Sequence, residues 1–117
     1  MKLTDKIWEV LEPAAKIGDK ATREDIEKGL EKGEFQLFQK NNSAAVTASI
    51  KNTLRIGLAG GNLKDLIEIE KNIIEYAKSR YFNCVDILGR EGWEKTLPGY
   101  EKKAVLLRKE LKWVLSS

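Results

Sequence analysis

Two adjacent glycines, Gly60 and Gly61, stand directly before Asn62 and Leu63, where a strand pattern gives way to a helix pattern. Glycine lets the backbone approach a ligand closely, and the unpaired amides at a helix start attract phosphate groups. Ligands of α/β sheets bind at the carboxyl ends of the strands, where a crossover helix begins. These four residues are therefore candidate ligands for a pyrophosphate. The alternative is a tight turn, since neither a P-loop nor a dinucleotide fingerprint fits them.

A second group of glycine, aromatic and basic residues lies between residues 89 and 100. Tyr100 could act as a general acid that reprotonates a leaving thiolate, or it could be an ordinary hydrogen-bonded tyrosine. Arg90 could neutralise a phosphate, although a solvated helix face explains it equally well. We expect Trp93 to anchor the core, because large aromatic side chains dominate core packing.

Other reactive groups are scarce. The chain has no histidine, which excludes a Ser-His-Asp triad, a Cys-His dyad and the usual zinc sites, so we expect no metal. A single cysteine, Cys84, cannot form an internal disulfide, and we expect it to be buried as a packing residue. Two acids, Glu34 and Asp86, could face a cleft, and we expect them to be exposed or ion-paired rather than catalytic.

Composition narrows the class of protein. A chain of 117 residues is expected to form one domain, and its 42% hydrophobic and 33% charged content is that of a globular protein. The net charge of +3 is too small to predict nucleic-acid binding. No apolar run approaches the roughly 20 residues that span a bilayer. We therefore expect an intracellular protein without a membrane segment.

The elements that must position these residues follow from periodicity. Residues 1–33 carry two amphipathic stretches, which begin behind the N-cap candidates Thr4 and Thr22. Residues 34–59 alternate with a period of two and are interrupted by turn residues, which predicts an antiparallel meander of three strands. Residues 60–117 then predict a βαβ-type half of the same domain.

That second half contains the strongest helix signal in the chain. Apolar residues recur at helical spacing from Leu63 to about Arg80, behind the N-cap Asn62. The strand that follows, from Cys84 to Leu88, should lie parallel to the third strand. A short helix over residues 91–97 and a last strand from Lys102 to Leu111 complete the order ααβββαβαβ. The predicted class is α/β (α+β), with a mixed, mostly antiparallel sheet flanked by helices.

This order of elements resembles the GNAT N-acetyltransferase superfamily. The stretch from Gly89 to Trp93, followed by Leu97-Pro98-Gly99-Tyr100, is similar to small GNAT-like proteins of tailed bacteriophages. The resemblance implies that acetyl-CoA is held by amides at the start of the long helix, with its pantetheine between two splayed parallel strands. It further implies direct acetyl transfer to a small amine or a protein acceptor, with Tyr100 as general acid.

The resemblance leaves a second function open. The usual pyrophosphate signature of the family cannot be aligned on the residues from Arg55 to Leu63. The alternative is a non-catalytic GNAT fold that serves as a structural or assembly component of a phage particle. It would associate with copies of itself or with phage structural proteins through apolar residues such as Trp8, Trp113 and Val114. The expected location is then the cytoplasm of the host cell or the virion.

Overall fold

The fold combines three helices with six strands in the part of the chain that a computed structural model describes, residues 3–17, 21–88, 101–103 and 106–111. The elements are α1 (Asp5–Ile17), α2 (Arg23–Glu31), β1 (Phe35–Lys40), β2 (Ser43–Ile50), β3 (Thr53–Gly60), α3 (Leu63–Ser79), β4 (Cys84–Leu88), β5 (Glu101–Lys103) and β6 (Leu106–Glu110). The strands form one sheet in the order β1-β2-β3-β4-β6-β5. An α+β class with a mixed sheet and helices is therefore confirmed.

The first two helices begin at the predicted caps. The Thr4 hydroxyl accepts a hydrogen bond from the Ile7 amide at 3.1 Å. Thr22 and Asp25 form a reciprocal capping box, in which each side chain accepts from the other residue's amide. Such caps satisfy amides that have no partner within the helix. Helix α1 also continues through Pro13 to Ile17, as the apolar spacing predicts.

Two tight turns build the antiparallel meander. Asn41 has a φ of 53° between β1 and β2, and Lys51 has a φ of 55° between β2 and β3. Two-residue turns with a positive φ match the right-handed twist of the strands that they join. The pairing of β1 with β2 and of β2 with β3 is antiparallel, which confirms the predicted meander.

A β-bulge at Gly57 interrupts the pairing of β2 with β3. Val46 is paired with Leu58 and the adjacent Thr47 with Ile56, so Gly57 has no partner in β2. The extra residue reverses the alternation of side chains. Ile56 belongs to the core on one face of the sheet, whereas Leu58 packs against the core on the other.

The two faces of the sheet carry separate apolar cores. Helices α1 and α2 cover one face, where the buried residues are Leu3, Ile7, Leu11, Ile26, Ala44 and Val46. Helix α3 covers the other face, where the buried residues include Leu54, Ile56, Leu66, Ile69, Ile73, Val85 and Ile87. Strands β2 and β3 supply side chains to both cores and therefore hold the two halves of the fold together.

Strands β3 and β4 form the predicted parallel pair. Their register runs from Thr53 beside Cys84 to Ile56 beside Ile87, and then the pairing stops. The last four residues of β3, which follow Ile56 and include the bulge, extend beyond the paired segment. The register of the parallel pair therefore ends on the side where α3 begins, with β3 continuing to Gly60 and β4 to Leu88.

The prediction of a single last strand from Lys102 to Leu111 is wrong. Residues 102–111 do not make one strand, because β5 and β6 pair with each other in antiparallel register, with Lys103 beside Leu106. Strand β6 also pairs with β4, so β5 forms the outer edge of the sheet. Its three charged residues suit an edge, where charge discourages further pairing. The predicted helix over residues 91–97 lies outside the described residues.

Candidate functional site

The site predicted from the glycine pair lies at the junction of β3 and α3. Asn62 caps the helix through its side-chain oxygen, which accepts from the Lys64 amide at 2.8 Å. The Asn62 amide itself donates to the Ser43 hydroxyl oxygen at 2.8 Å. That hydroxyl in turn donates to the Asp65 carboxylate at 3.1 Å. The first turn of α3 is thus fixed to the start of β2.

Packing within the fold accounts for both glycines of the junction. A Cβ atom at Gly60 would lie 1.7 Å from the carbonyl oxygen of Val10 in α1. A Cβ atom at Gly61 would lie 2.2 Å from the Ser43 hydroxyl oxygen, and Gly61 has a φ of 121°. Both positions therefore require glycine whether or not a ligand binds. This agrees with the alternative interpretation, in which the glycine pair is a tight turn.

Two amides of the first turn face no acceptor within the described part of the chain. In α3 itself, the Lys64 amide donates to the Asn62 side chain, whereas the Leu63 and Asp65 amides have no recorded partner and remain for a ligand or for water. The Leu63 side chain is 53% exposed although it begins the apolar repeat of the helix. Leu63 therefore lies at an exposed position of the junction.

Charges around this helix start are mixed. The Asp65 carboxylate would oppose a bound phosphate, but it accepts hydrogen bonds from Ser43 and from the Asn41 side chain at 3.0 Å. The ammonium group of Lys64 is exposed beside it and would favour an anion. The helix dipole adds a partial positive charge at the same end. The local chemistry is thus compatible with an anionic ligand.

A small apolar cavity lies between α3 and the sheet, beside the parallel pair of β3 and β4. Its volume of about 20 Å³ gives room for one water molecule. The lining residues are Ala45, Ile56, Ala59, Leu66, Ile69, Glu70, Ile73 and Ile87. The cavity thus extends from the parallel pair to the first turns of α3.

Glu70 is a residue of this region that the sequence reasoning missed as a candidate. Its side chain is 7% exposed, and it is the one carboxylate among the residues that line the cavity. The signal was present, because Glu70 lies four residues after Leu66 and three before Ile73 on the buried face of α3. A charged side chain at such a spacing is unusual for a core position.

The remaining candidate acids and the cysteine have structural roles. Cys84 is buried, and its sulfur lies 3.1 Å from the Thr53 hydroxyl oxygen. Asp86 is fully buried and forms an ion pair with Arg55 at 3.3 Å. Glu34 is exposed. The expectations of a packing cysteine, an ion-paired Asp86 and an exposed Glu34 are confirmed.

Several predicted residues cannot be placed. Arg90, Trp93, Tyr100, Trp113 and Val114 lie outside the described residues, so their predicted roles stay predictions.

Trp8, the remaining member of the predicted apolar contact surface, is partly buried. It packs against the core beneath α1 and α2. Within the described ranges, no group of three acidic, cysteine or histidine side chains is arranged to hold a metal ion. The helices of those ranges include none with the length and apolar character needed to cross a bilayer.

Comparison with known proteins gives no assignment, since no family model, curated protein or solved structure matches the chain.

Proposed function

We propose that the protein is a GNAT-like domain that binds acetyl-CoA and transfers its acetyl group to an amine. The observation that carries the proposal is the parallel pair of β3 and β4, which α3 connects and whose register ends at Ile56 and Ile87. The GNAT resemblance implies a pantetheine between two splayed parallel strands and a pyrophosphate on the amides of the long helix. The resemblance would place both groups where the register of this pair ends and α3 begins.

The order of the strands adds support. One parallel neighbour pair lies within an otherwise antiparallel described sheet, and the final hairpin places β6 beside β4. The predicted resemblance covers residues 22–112, which include all six strands. A mixed sheet of this kind can host many activities, so the function rests on the site rather than on the fold.

Of the five predicted cofactor residues, Leu63 has the clearest role. Its amide, which has no partner among the described residues, would donate to a pyrophosphate oxygen, and Gly60 and Gly61 would keep side chains out of the junction. Asn62 would act by capping the helix, because its amide already donates to Ser43. Arg90 would neutralise phosphate charge.

The transfer itself is a direct displacement. The acceptor nitrogen attacks the thioester carbonyl carbon, the carbon–sulfur bond breaks, and the amine proton passes to solvent water as the amide forms. Tyr100, as the resemblance implies, would protonate the leaving thiolate of CoA. Glu70 is a buried carboxylate in the lining of the cavity beside α3.

A non-catalytic GNAT fold, serving in a phage particle or its assembly, is the second candidate. The contacts of Gly60 with Val10 and of Gly61 with Ser43 favour it, because they explain the glycine pair by packing alone. In that case the fold has kept its junction while the cofactor site has been lost.

Ligand-induced stabilisation of the folded chain separates the two candidates. We would measure thermal unfolding with and without about 1 mM acetyl-CoA, with CoA as a second arm; a ligand at a hundred times its Kd adds about 2.7 kcal/mol. For a domain of this size that corresponds to a rise in Tm of several degrees. No rise with either ligand would contradict cofactor binding and favour the structural candidate.

A proline at Leu63 tests the helix amides specifically. Leu63 is the first residue of α3, where proline is tolerated, and Asn62 before it is extended at φ −77° and ψ 134°, as a residue preceding proline should be. Leu63→Pro should therefore remove one amide and much of the ligand-induced rise in Tm while the fold survives. Leu63→Ala keeps the amide and should keep the rise. Equal loss in both variants would contradict the amide contact.

A further inference from the structure

Strand β1 forms one open edge of the sheet, because the described residues pair it with β2 alone. Proteins protect such edges with proline, charged residues, bulges or very short strands. The opposite edge, β5, has three residues and all are charged. Strand β1 instead has six residues, Phe35-Gln36-Leu37-Phe38-Gln39-Lys40, with one charge at its end and a regular register against β2.

The turn between β1 and β2 fixes which backbone groups of β1 face outward. Lys40 and Ser43 close a two-residue turn, and such a closing pair exchanges backbone hydrogen bonds. Because the hydrogen-bonded pairs alternate along the ladder, Lys40, Phe38 and Gln36 use their backbone groups toward β2. Phe35, Leu37 and Gln39 therefore direct theirs away from the sheet.

Self-pairing of this edge has one register that fits both backbone and charge. An antiparallel copy centred on Leu37 places Leu37 beside the partner's Leu37 and Phe35 beside the partner's Gln39, so outward-facing residues meet one another. The same register places Glu34 beside the partner's Lys40, and the two-fold axis repeats that pair. Opposite charges across neighbouring antiparallel strands stabilise the pairing.

The flanking charges are available for this contact. Glu34 and Lys40 are both exposed, and neither forms an ion pair with another described residue. Shifting the register by two residues in one direction would place Lys40 beside the partner's Lys32, where like charges repel. A shift by two residues in the other direction would place Lys40 beside the partner's Gln36, which is neutral.

We propose that β1 is a dimerisation edge, where two copies of this chain join their sheets by antiparallel β1–β1 pairing centred on Leu37. Such an interface is isologous, since each copy presents the same strand. The half-buried side chains of Phe35, Leu37 and Phe38 would become more buried in the dimer. The proposal is independent of acetyl-CoA binding, because β1 lies two strands away from the parallel pair.

Charge exchange across the edge tests both the dimer and its register. We expect sedimentation equilibrium of the wild-type chain to give twice the monomer mass of 13.3 kDa. Glu34→Lys and Lys40→Glu should each weaken association about tenfold, because each change makes both symmetric pairs repulsive. The double variant, with both charges exchanged, should return to within about twofold of the wild-type Kd.

A proline at Gln39 tests the backbone pairing. Its side chain is exposed and its amide faces outward, so Gln39→Pro removes no hydrogen bond of the monomer and should abolish the dimer. Gln39→Ala should leave the dimer intact, and circular dichroism checks the fold of each variant. A wild-type chain that stays monomeric at about 1 mM, a dimer indifferent to these changes, or a double variant that does not recover would overturn the proposal.

Discussion

Asp25 couples the second helix to pH through a single hydrogen-bonded pair. The Thr22 backbone amide donates a hydrogen bond to the Asp25 carboxylate, and this bond, followed by hydrogen bonding with the Thr22 side chain, lowers the pKa of the Asp25 carboxyl from its usual 3.8. A carboxyl whose pKa is lowered in the folded state stabilises that state above the unfolded pKa. This stabilisation is lost as the pH falls through the folded pKa.

We therefore predict an acid-dependent loss of stability that Asp25→Asn reduces. The free energy of unfolding should fall for the wild-type chain as the pH drops below about 4, and the fall should be shallower in the variant. Denaturant unfolding at several pH values measures both slopes. Glu24→Gln, which changes an exposed acid in the same helical turn, is the control. Identical slopes for wild type and Asp25→Asn would refute the prediction.

Ser43 is a second residue whose small side chain should contribute strongly to the stability of the fold. Its hydroxyl is 1% exposed and joins the Asn62 amide to the Asp65 carboxylate. Ser43→Ala leaves both groups without this partner, and we predict a loss of about 1–3 kcal/mol in unfolding free energy. Ser49→Ala, at an exposed position of the same strand, should change it by less than about 0.5 kcal/mol. Equal effects in denaturant titrations would argue against the junction as a fixed point.

At the scale of elements, α1 is docked on the end of β3 by a contact that allows no side chain. Gly60→Ala would place its Cβ on the Val10 carbonyl, so α1 must move, and we predict a loss of about 1–3 kcal/mol or more. Gly57→Ala is a matched control in the same strand, because a Cβ there meets nothing within 4 Å. Denaturant unfolding compares the two variants. Similar losses would show that strand propensity, rather than the docking of α1, determines the cost.

The elements that local patterns encode could be predicted, and those that depend on distant contacts could not. The apolar repeat and Asn62 cap define α3, and Asn41 marks the first hairpin turn. The C-terminal hairpin was missed, because the mixed aliphatic and charged run from Lys102 to Leu111 contains no turn glycine or proline. Its division into two strands depends on the pairing of β6 with β4.

The candidate site shows the same division. The sequence identified the Gly60–Leu63 junction from the change of periodicity, but the partners that require its glycines come from α1 and β2. The exposure of Leu63 and the bulge at Gly57 likewise follow from tertiary packing. Short-range spacing therefore predicted where a site could be, and long-range contacts determine which amides remain free.

At the scale of the whole molecule, β2 and β3 contribute side chains to both cores, so we expect the two cores to unfold together. Cys84 is buried, with 4% of its surface exposed, so a thiol reagent reaches its sulfur only after the surrounding structure unfolds locally or globally. We predict that labelling of Cys84 in buffer is at least about a thousandfold slower than in denaturant, given a typical stability above 5 kcal/mol. Rapid labelling under native conditions would indicate a loosely packed sheet. The labelling rate of the same chain in concentrated urea is the reference for the comparison.

The parallel pairing of β3 with β4 also has a consequence for folding kinetics. Thr53 and Cys84 are 31 residues apart in sequence, whereas each hairpin of the meander closes across two turn residues. Loop closure costs more entropy for the longer connection, and contacts of high sequence separation slow folding. We expect the meander to acquire hydrogen-exchange protection first and β4 with β6 last. The parallel pair of β3 and β4 would then be among the last regions of the sheet to form.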